Sequence, residues 1–193
     1  MKLKELHFGT LVLKQISATK KNAQQIFDIF SSGDDTFKYW LEYTKPYRNV
    51  QEVIDEYKNK YKPKGFCKYA MYGIFKGDEI LGEIGMGCIY TRRKTAEIGF
   101  WLKKSARGRG IIDKLLPIIE KLAFTEYDLT KLTIWCDNEN KPVKRIAKKH
   151  GYVKEGVLRE EKTWPDGSVH STVLYGKLKS EWKMQSGGFL QGK

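Results

Sequence analysis

A chain of 193 residues is long enough to bury roughly 70% of the surface its unfolded form exposes. No apolar run reaches the roughly 18 residues of a membrane span, the N-terminus lacks the apolar core of a secretory signal, and three cysteines and three histidines in no ligand spacing give neither a disulfide framework nor a metal site. Lysine and arginine number 36 against 23 aspartates and glutamates, a formal charge of +13 that attracts anions; a soluble cytoplasmic protein without membrane or metal partners is the expectation.

In chain order, Thr10 to Ile16 reads as a strand, and a helical pattern follows from about Thr19 through Ala23, Ile26, Phe27 and Phe30 to a stop at Gly33. A polar, aromatic segment from Phe37 to Tyr47 leads to a second helix carrying Val50, Val53, Ile54 and Tyr57, which ends near Pro63-Lys64-Gly65. Lys68 to Phe75, Glu79 to Tyr90 and Thr95 to Leu102 have strand composition and short polar turns between them, so an antiparallel meander is expected. After Gly110 the period changes: Ile111, Ile112, Leu115, Leu116, Ile118, Ile119, Leu122 and Ala123 form one helical stripe, bent at Pro117. Leu132 to Trp135 reads as a buried strand, and Val143, Ile146, Ala147 and His150 as one face of a helix capped by Asn140 and closed by Gly151. Val157 to Thr163 and His170 to Leu178 flank a Pro-Asp-Gly turn and make a closing hairpin, and residues 184–193 read as a flexible tail. The elements add up to one mixed α/β domain over residues 1–183, of the α+β type.

One segment gives the sharpest local signal, read either as an anion-binding turn or as a merely structural one. Phe100-Trp101-Leu102 runs into Arg107-Gly108-Arg109-Gly110-Ile111-Ile112, a strand leading through a glycine turn into a helix. Glycines let the backbone approach an anion, and the unpaired N–H groups of a helix start point at it. Arg107 and Arg109 add positive charge. The Gly-Lys-Ser/Thr ending of a P-loop and the Rossmann spacing are both absent.

Ala96-Glu97-Ile98-Gly99-Phe100-Trp101-Leu102, the turn Arg107 to Ile112, the strand into Asn138-Glu139-Asn140, and His150-Gly151-Tyr152 stand in an order and spacing that resemble the GNAT superfamily of N-acetyltransferases. The likeness runs over roughly residues 8 to 182 and is greatest to the branch of ribosomal-protein N-terminal acetyltransferases (RimJ/RimL-like). It implies a mostly antiparallel sheet of about 6–7 strands flanked by about four helices, and acetyl-CoA as cosubstrate. By the same resemblance the backbone of Phe100, Trp101 and Leu102 would pair with the pantetheine arm, and Arg107, Gly108, Arg109, Gly110, Ile111 and Ile112 would wrap the pyrophosphate. Asn140 matches an asparagine that contacts the coenzyme, alongside its capping role.

Transfer to an amine requires a neutral nucleophile, because an ammonium has no lone pair. Glu97 matches the position of a glutamate that serves as general base in histone-acetylating members, with a surface ion pair as the structural alternative; Glu83 is a second, weaker candidate. Where relatives carry an acid, this chain has Val143 and Ala147, and Ile112 replaces a small residue of the phosphate turn. The general acid is therefore unassigned, with Tyr152 and Tyr175 as available phenols. The branch points to a protein N-terminal amine as acceptor. Polyamines stay open if Asp28, Asp34, Asp35, Glu42, Glu52, Asp55 and Glu56 gather into an acidic cleft. A coenzyme sensor, or a nucleic-acid module using the basic surface, is the reading from another class, disfavoured for nucleic acid because the lysines are dispersed. A homodimer is compatible with the sequence.

Overall fold

The computed structural model describes residues 3–34, 47–60, 62, 67–164 and 167–187. One sheet runs through it: β1 (Leu6–Phe8), β2 (Leu11–Lys14), β3 (Cys67–Lys76), β4 (Glu79–Tyr90), β5 (Thr95–Leu102), β6 (Lys131–Asp137), β7 (Val153–Thr163) and β8 (Val169–Leu178), in the spatial order β1-β2-β3-β4-β5-β6-β8-β7. All neighbours are antiparallel except β5 and β6. That parallel pair needs a crossover, supplied by α3 (Ile111–Lys121). The sheet thus has eight strands where six or seven were expected, and the added strand is β1: three residues alternating only weakly leave no period to read.

Helices cover both faces. On one face α1 (Lys20–Phe30) and α2 (Val50–Lys60) pack Ala23, Ile26, Val53 and Tyr57 against Phe75, Ile80 and Trp101. The other face carries α3 and α4 (Lys141–Lys149), whose Leu115, Ile119 and Ala147 join Ile84, Met86, Ile98, Leu132 and Ile134. Thr19 caps α1, its hydroxyl accepting the Asn22 N–H. A fifth helix, α5 (Lys179–Gly187), takes in residues 184–187 of the segment read as a tail from Met184. Its packing comes from Trp182, which lies 5.4 Å from the Phe124 ring, a tertiary contact that low local hydrophobicity conceals. Residues 37–46, 63–66, 165–166 and 188–193, which hold most of the aromatic segment, the end of the second predicted helix, the Pro-Asp of the hairpin turn and the last of the tail, lie outside the described residues. Pro117 sits inside an unbroken α3; the departure from α geometry falls later, in a π-turn over Leu122–Glu126.

A buried ion pair ties these layers together. Lys177 Nζ on β8 donates to Glu120 Oε2 on α3 at 2.9 Å and to the His150 carbonyl at the end of α4 at 2.8 Å, and both residues are 2% exposed. Removing one partner strands the other charge in the core, whereas replacing both with apolar groups removes the problem. Lys177→Met is expected to cost about 3–5 kcal/mol in urea unfolding, and the double variant Lys177→Met/Glu120→Leu to recover most of that loss.

Candidate functional site

β5 and β6 pair only through Thr95↔Lys131, Ala96↔Leu132 and Glu97↔Thr133. Past Glu97 the two strands part, while β5 stays in register with β4 as far as Leu102. Beside the end of β5 lies a cleft of about 510 Å³, walled by Phe100, Trp101 and Leu102, by Arg107, Gly108 and the first turn of α3, and by Asn140, Pro142, Val143, Arg145 and Ile146 of α4. The segments that the sequence marked as strand, glycine turn and capped helix therefore meet around one space.

The turn is built for backbone exposure. Gly108 and Gly110 hold φ of +72° and +67°, and Gly110 is the N-cap of α3 without a side chain to satisfy the following N–H groups. The amides of the first turn are left for a ligand. Asn140 Oδ1 accepts the Val143 N–H at 3.3 Å and caps α4, so two helix N-termini border the same cleft, each with its positive dipole end.

The arginines divide. Arg107 lines the cleft, but its guanidinium grips Asp34 at 2.6 and 2.9 Å and its Nε donates to the Leu102 carbonyl at 2.8 Å. It therefore braces the turn against β5. Arg109 is exposed and outside the cleft wall, so the structure does not bring it to the other residues. Arg145 supplies a cation in the wall that no motif announced, since only the convergence of α3 and α4 places it there. Asp113, also in the wall, is held by Lys149 and His150, each at 3.0 Å; the Lys149 hydrogen bond leads the interactions that keep its carboxyl below the ordinary range.

Trp101 faces two ways. Its backbone borders the cleft, while its ring is buried on the α1/α2 side at 5.2 Å from Phe30 and its Nε1 donates to Glu83 Oε2 at 3.0 Å. Tyr57 Oη and Lys60 Nζ also donate to that oxygen, at 3.0 and 2.5 Å. Glu83 is fully buried and occupied with anchoring Trp101, which is a poor position for a base. Glu97 sits half-buried at the last paired position before the strands part, on the sheet face that carries Gly99 and Trp101. Burial raises its pKa, with the Lys162 charge pulling the other way. Tyr152 and Tyr175 belong to the core, and burial raises both phenols; neither borders the cleft.

A model of the acetyltransferase (GNAT) domain matches residues 10–153, and the chain belongs to the GNAT family of acetyltransferases, which use acetyl-CoA. Among proteins of known sequence it is similar to the ribosomal-protein-serine acetyltransferase of Escherichia coli (strain K12), 35% identical over 115 residues that span 60% of this chain and 63% of that enzyme. It is also similar to the uncharacterized N-acetyltransferase YoaA of Bacillus subtilis (strain 168), 26% identical over 90% of this chain and 96% of that one. Among solved structures, RimL, a ribosomal L7/L12 alpha-N-protein acetyltransferase in complex with coenzyme A, shares the fold with a TM-score of 0.77 at 20% identity, over 92% of this chain and 99% of that one.

A residue with a Cβ at Gly110 would have to hold the left-handed conformation (φ +67°), at a cost of about 1–2 kcal/mol, so the turn would relax and move the amides at the helix mouth. Gly110→Ala is expected to weaken acetyl-CoA binding at least tenfold in titration calorimetry; unchanged affinity would separate this turn from the coenzyme.

Proposed function

We propose that this protein, as a single catalytic domain over residues 1–183, transfers the acetyl group of acetyl-CoA to a protein N-terminal amine. In this reading the pantetheine arm runs along Phe100 to Leu102, the pyrophosphate rests on Arg107 to Ile112, and Asn140 contacts the coenzyme while capping α4. The observation that carries it is the parting of β5 and β6 just beyond Glu97, which leaves room at the end of β5 for a strand-like ligand beside a helix mouth suited to phosphates.

Transfer proceeds directly within a ternary complex. The amine lone pair attacks the thioester carbon, the carbonyl oxygen gathers charge against backbone N–H groups of β5, and the C–S bond breaks to release coenzyme A. Glu97 takes the proton that the attacking amine loses, either directly or through a water. The departing thiolate is protonated by solvent, consistent with Val143 and Ala147 at the positions where relatives carry an acid and with the burial of Tyr152 and Tyr175.

The acceptor reading rests on the ribosomal-protein relatives and on charge. A polyamine would need an acidic cleft, yet the carboxylates of the front helices are engaged locally: Asp28 with Gln24, Glu52 with Arg48, Asp55 with Gln51 and Lys58, Glu56 with Tyr47. Asp34 is held by Arg107; Asp35 and Glu42 lie outside the described residues. Release of free coenzyme thiol with a panel of peptides and polyamines tests the assignment. Turnover with peptide N-termini well above that with spermidine is expected, and the reverse would move the acceptor to polyamines. No turnover with any amine would leave a coenzyme-binding protein.

Glu97→Gln is expected to lower kcat by about 10²–10⁴ with acetyl-CoA affinity within about twofold. The pH profile of kcat/KM should carry an acidic limb with its midpoint above the ordinary glutamate value, because burial raises this carboxyl, and the limb should vanish in the variant. The same shift fixes the sign for stability. The contribution of a group with a raised folded pKa is full below its unfolded pKa and is lost as pH climbs through the folded value. At neutral pH Glu97→Gln should therefore raise Tm slightly while it slows catalysis.

A further inference from the structure

The sequence offers no metal-ligand spacing, yet the sheet assembles one from distant residues. Asp137 ends β6, and its partner in register on β8 is Thr172, two residues along from His170 on the same face. Glu139 follows in the turn before α4. Ligand atoms of Asp137, Glu139 and His170 all lie within 4.8 Å of one another.

The imidazole is held from two sides. Trp164 stacks on it with ring centroids 3.6 Å apart and planes 9° from parallel, and Ser168 Oγ lies 2.9 Å from Nε2. With Nε2–H donated to Ser168, the neutral ring presents its lone pair at Nδ1, the arrangement by which an outer partner orients a metal-bound histidine. Nδ1 stands 2.9 Å from Asp137 Oδ2, and the two side chains are 11% and 3% exposed. Asp137 Oδ2 is buried and accepts no hydrogen bond. Asp137 Oδ1 accepts the Glu139 N–H at 2.7 Å, which pins the turn carrying the third carboxylate. Thr172 Oγ1 beside it is likewise buried and unsatisfied.

A buried carboxylate oxygen without a donor is costly and calls for a compensating charge. Two lone-pair atoms held about 2.9 Å apart can both reach one cation through metal–ligand bonds of about 2.0–2.1 Å. One imidazole with two carboxylates suits zinc, cobalt or manganese better than calcium, which takes more oxygens at longer range. We propose that Asp137, Glu139 and His170 form a binding site for a first-row divalent cation of the zinc type, with water completing the coordination. This site is independent of the acetyl-transfer reading: it joins the end of β6 to β8 and to the turn that precedes α4.

Chelator-treated full-length protein titrated with Zn²⁺ at pH 7.5 by calorimetry is the test. One equivalent is expected to bind, with affinity lowered at least tenfold by His170→Ala and by Asp137→Asn and severalfold by Ser168→Ala. His150→Ala and Cys136→Ser, which lie outside the cluster, should leave it unchanged. Nitrogen-15 spectra of the wild-type imidazoles give a reading that needs no variant: Zn²⁺ should move His170 Nδ1 to the metal-bound range. Absence of uptake, uptake that survives His170→Ala, or a His170 that stays protonated on both nitrogens at saturating Zn²⁺ would each overturn the proposal, the last by leaving a plain ion pair with Asp137.

Discussion

Everything at the cleft depends on where the parallel pairing of β5 and β6 stops. Three residue pairs hold the strands together, and after Glu97↔Thr133 they separate. A continuous ladder would have closed the sheet and left the glycine turn as an ordinary loop. Because β5 remains zipped to β4 up to Leu102, the separation opens a gap without loosening β5 itself. Ring packing of Trp101 on Phe30 and its hydrogen bond to Glu83 hold the far end in place from the α1/α2 side, while Arg107 clamps the turn to the Leu102 carbonyl.

In the proposed reading, rigid support of this kind serves electrostatics. Each phosphate charge placed at a helix start gains about 0.3–1 kcal/mol from the dipole, and the wall combines the mouths of α3 and α4 with Arg145. The net charge of +13 adds a long-range field that draws an anionic cosubstrate, though it falls within about 8–10 Å at physiological salt. The acidic residue that could spoil the site, Asp113 in the first turn of α3, is ion-paired with Lys149 and hydrogen-bonded to His150. The proposed mechanism requires little further machinery: the half-buried Glu97 where the strands part, and a backbone held still.

Much of this was legible in the residues. The meander of β3 to β5, the long stripe of α3 and the Asn140 cap are local patterns that tertiary packing reinforces, so period and capping rules found them. β1 and α5 escaped because their stability comes from partners, β2 for one and Phe124 for the other, and no local signal carries that. Pro117 was expected to leave α3 unbroken, and the helix does run through it; the π-turn at Leu122–Glu126 carried no signal of its own. Around the cleft, Phe100 to Leu102, Gly108, Gly110 to Ile112 and Asn140 meet, whereas Arg109 is exposed and outside the wall and Arg107 is bound up with Asp34. A sequence shows that an arginine is present near a turn; only the fold shows which anion already holds it. The Asp137, Glu139 and His170 cluster is the same lesson in reverse, since 33 positions separate Asp137 from His170 along the chain and only the β6·β8 register closes that distance.

The location of the bound coenzyme is decisive, and a crystal structure of the protein grown with acetyl-CoA measures it most directly. The pantetheine should lie along Phe100 to Leu102 in the gap left by β6, with the pyrophosphate oxygens within hydrogen-bonding distance of amides between Gly108 and Ile112. Coenzyme bound at another surface, or β5 and β6 paired without interruption beyond Glu97, would contradict it.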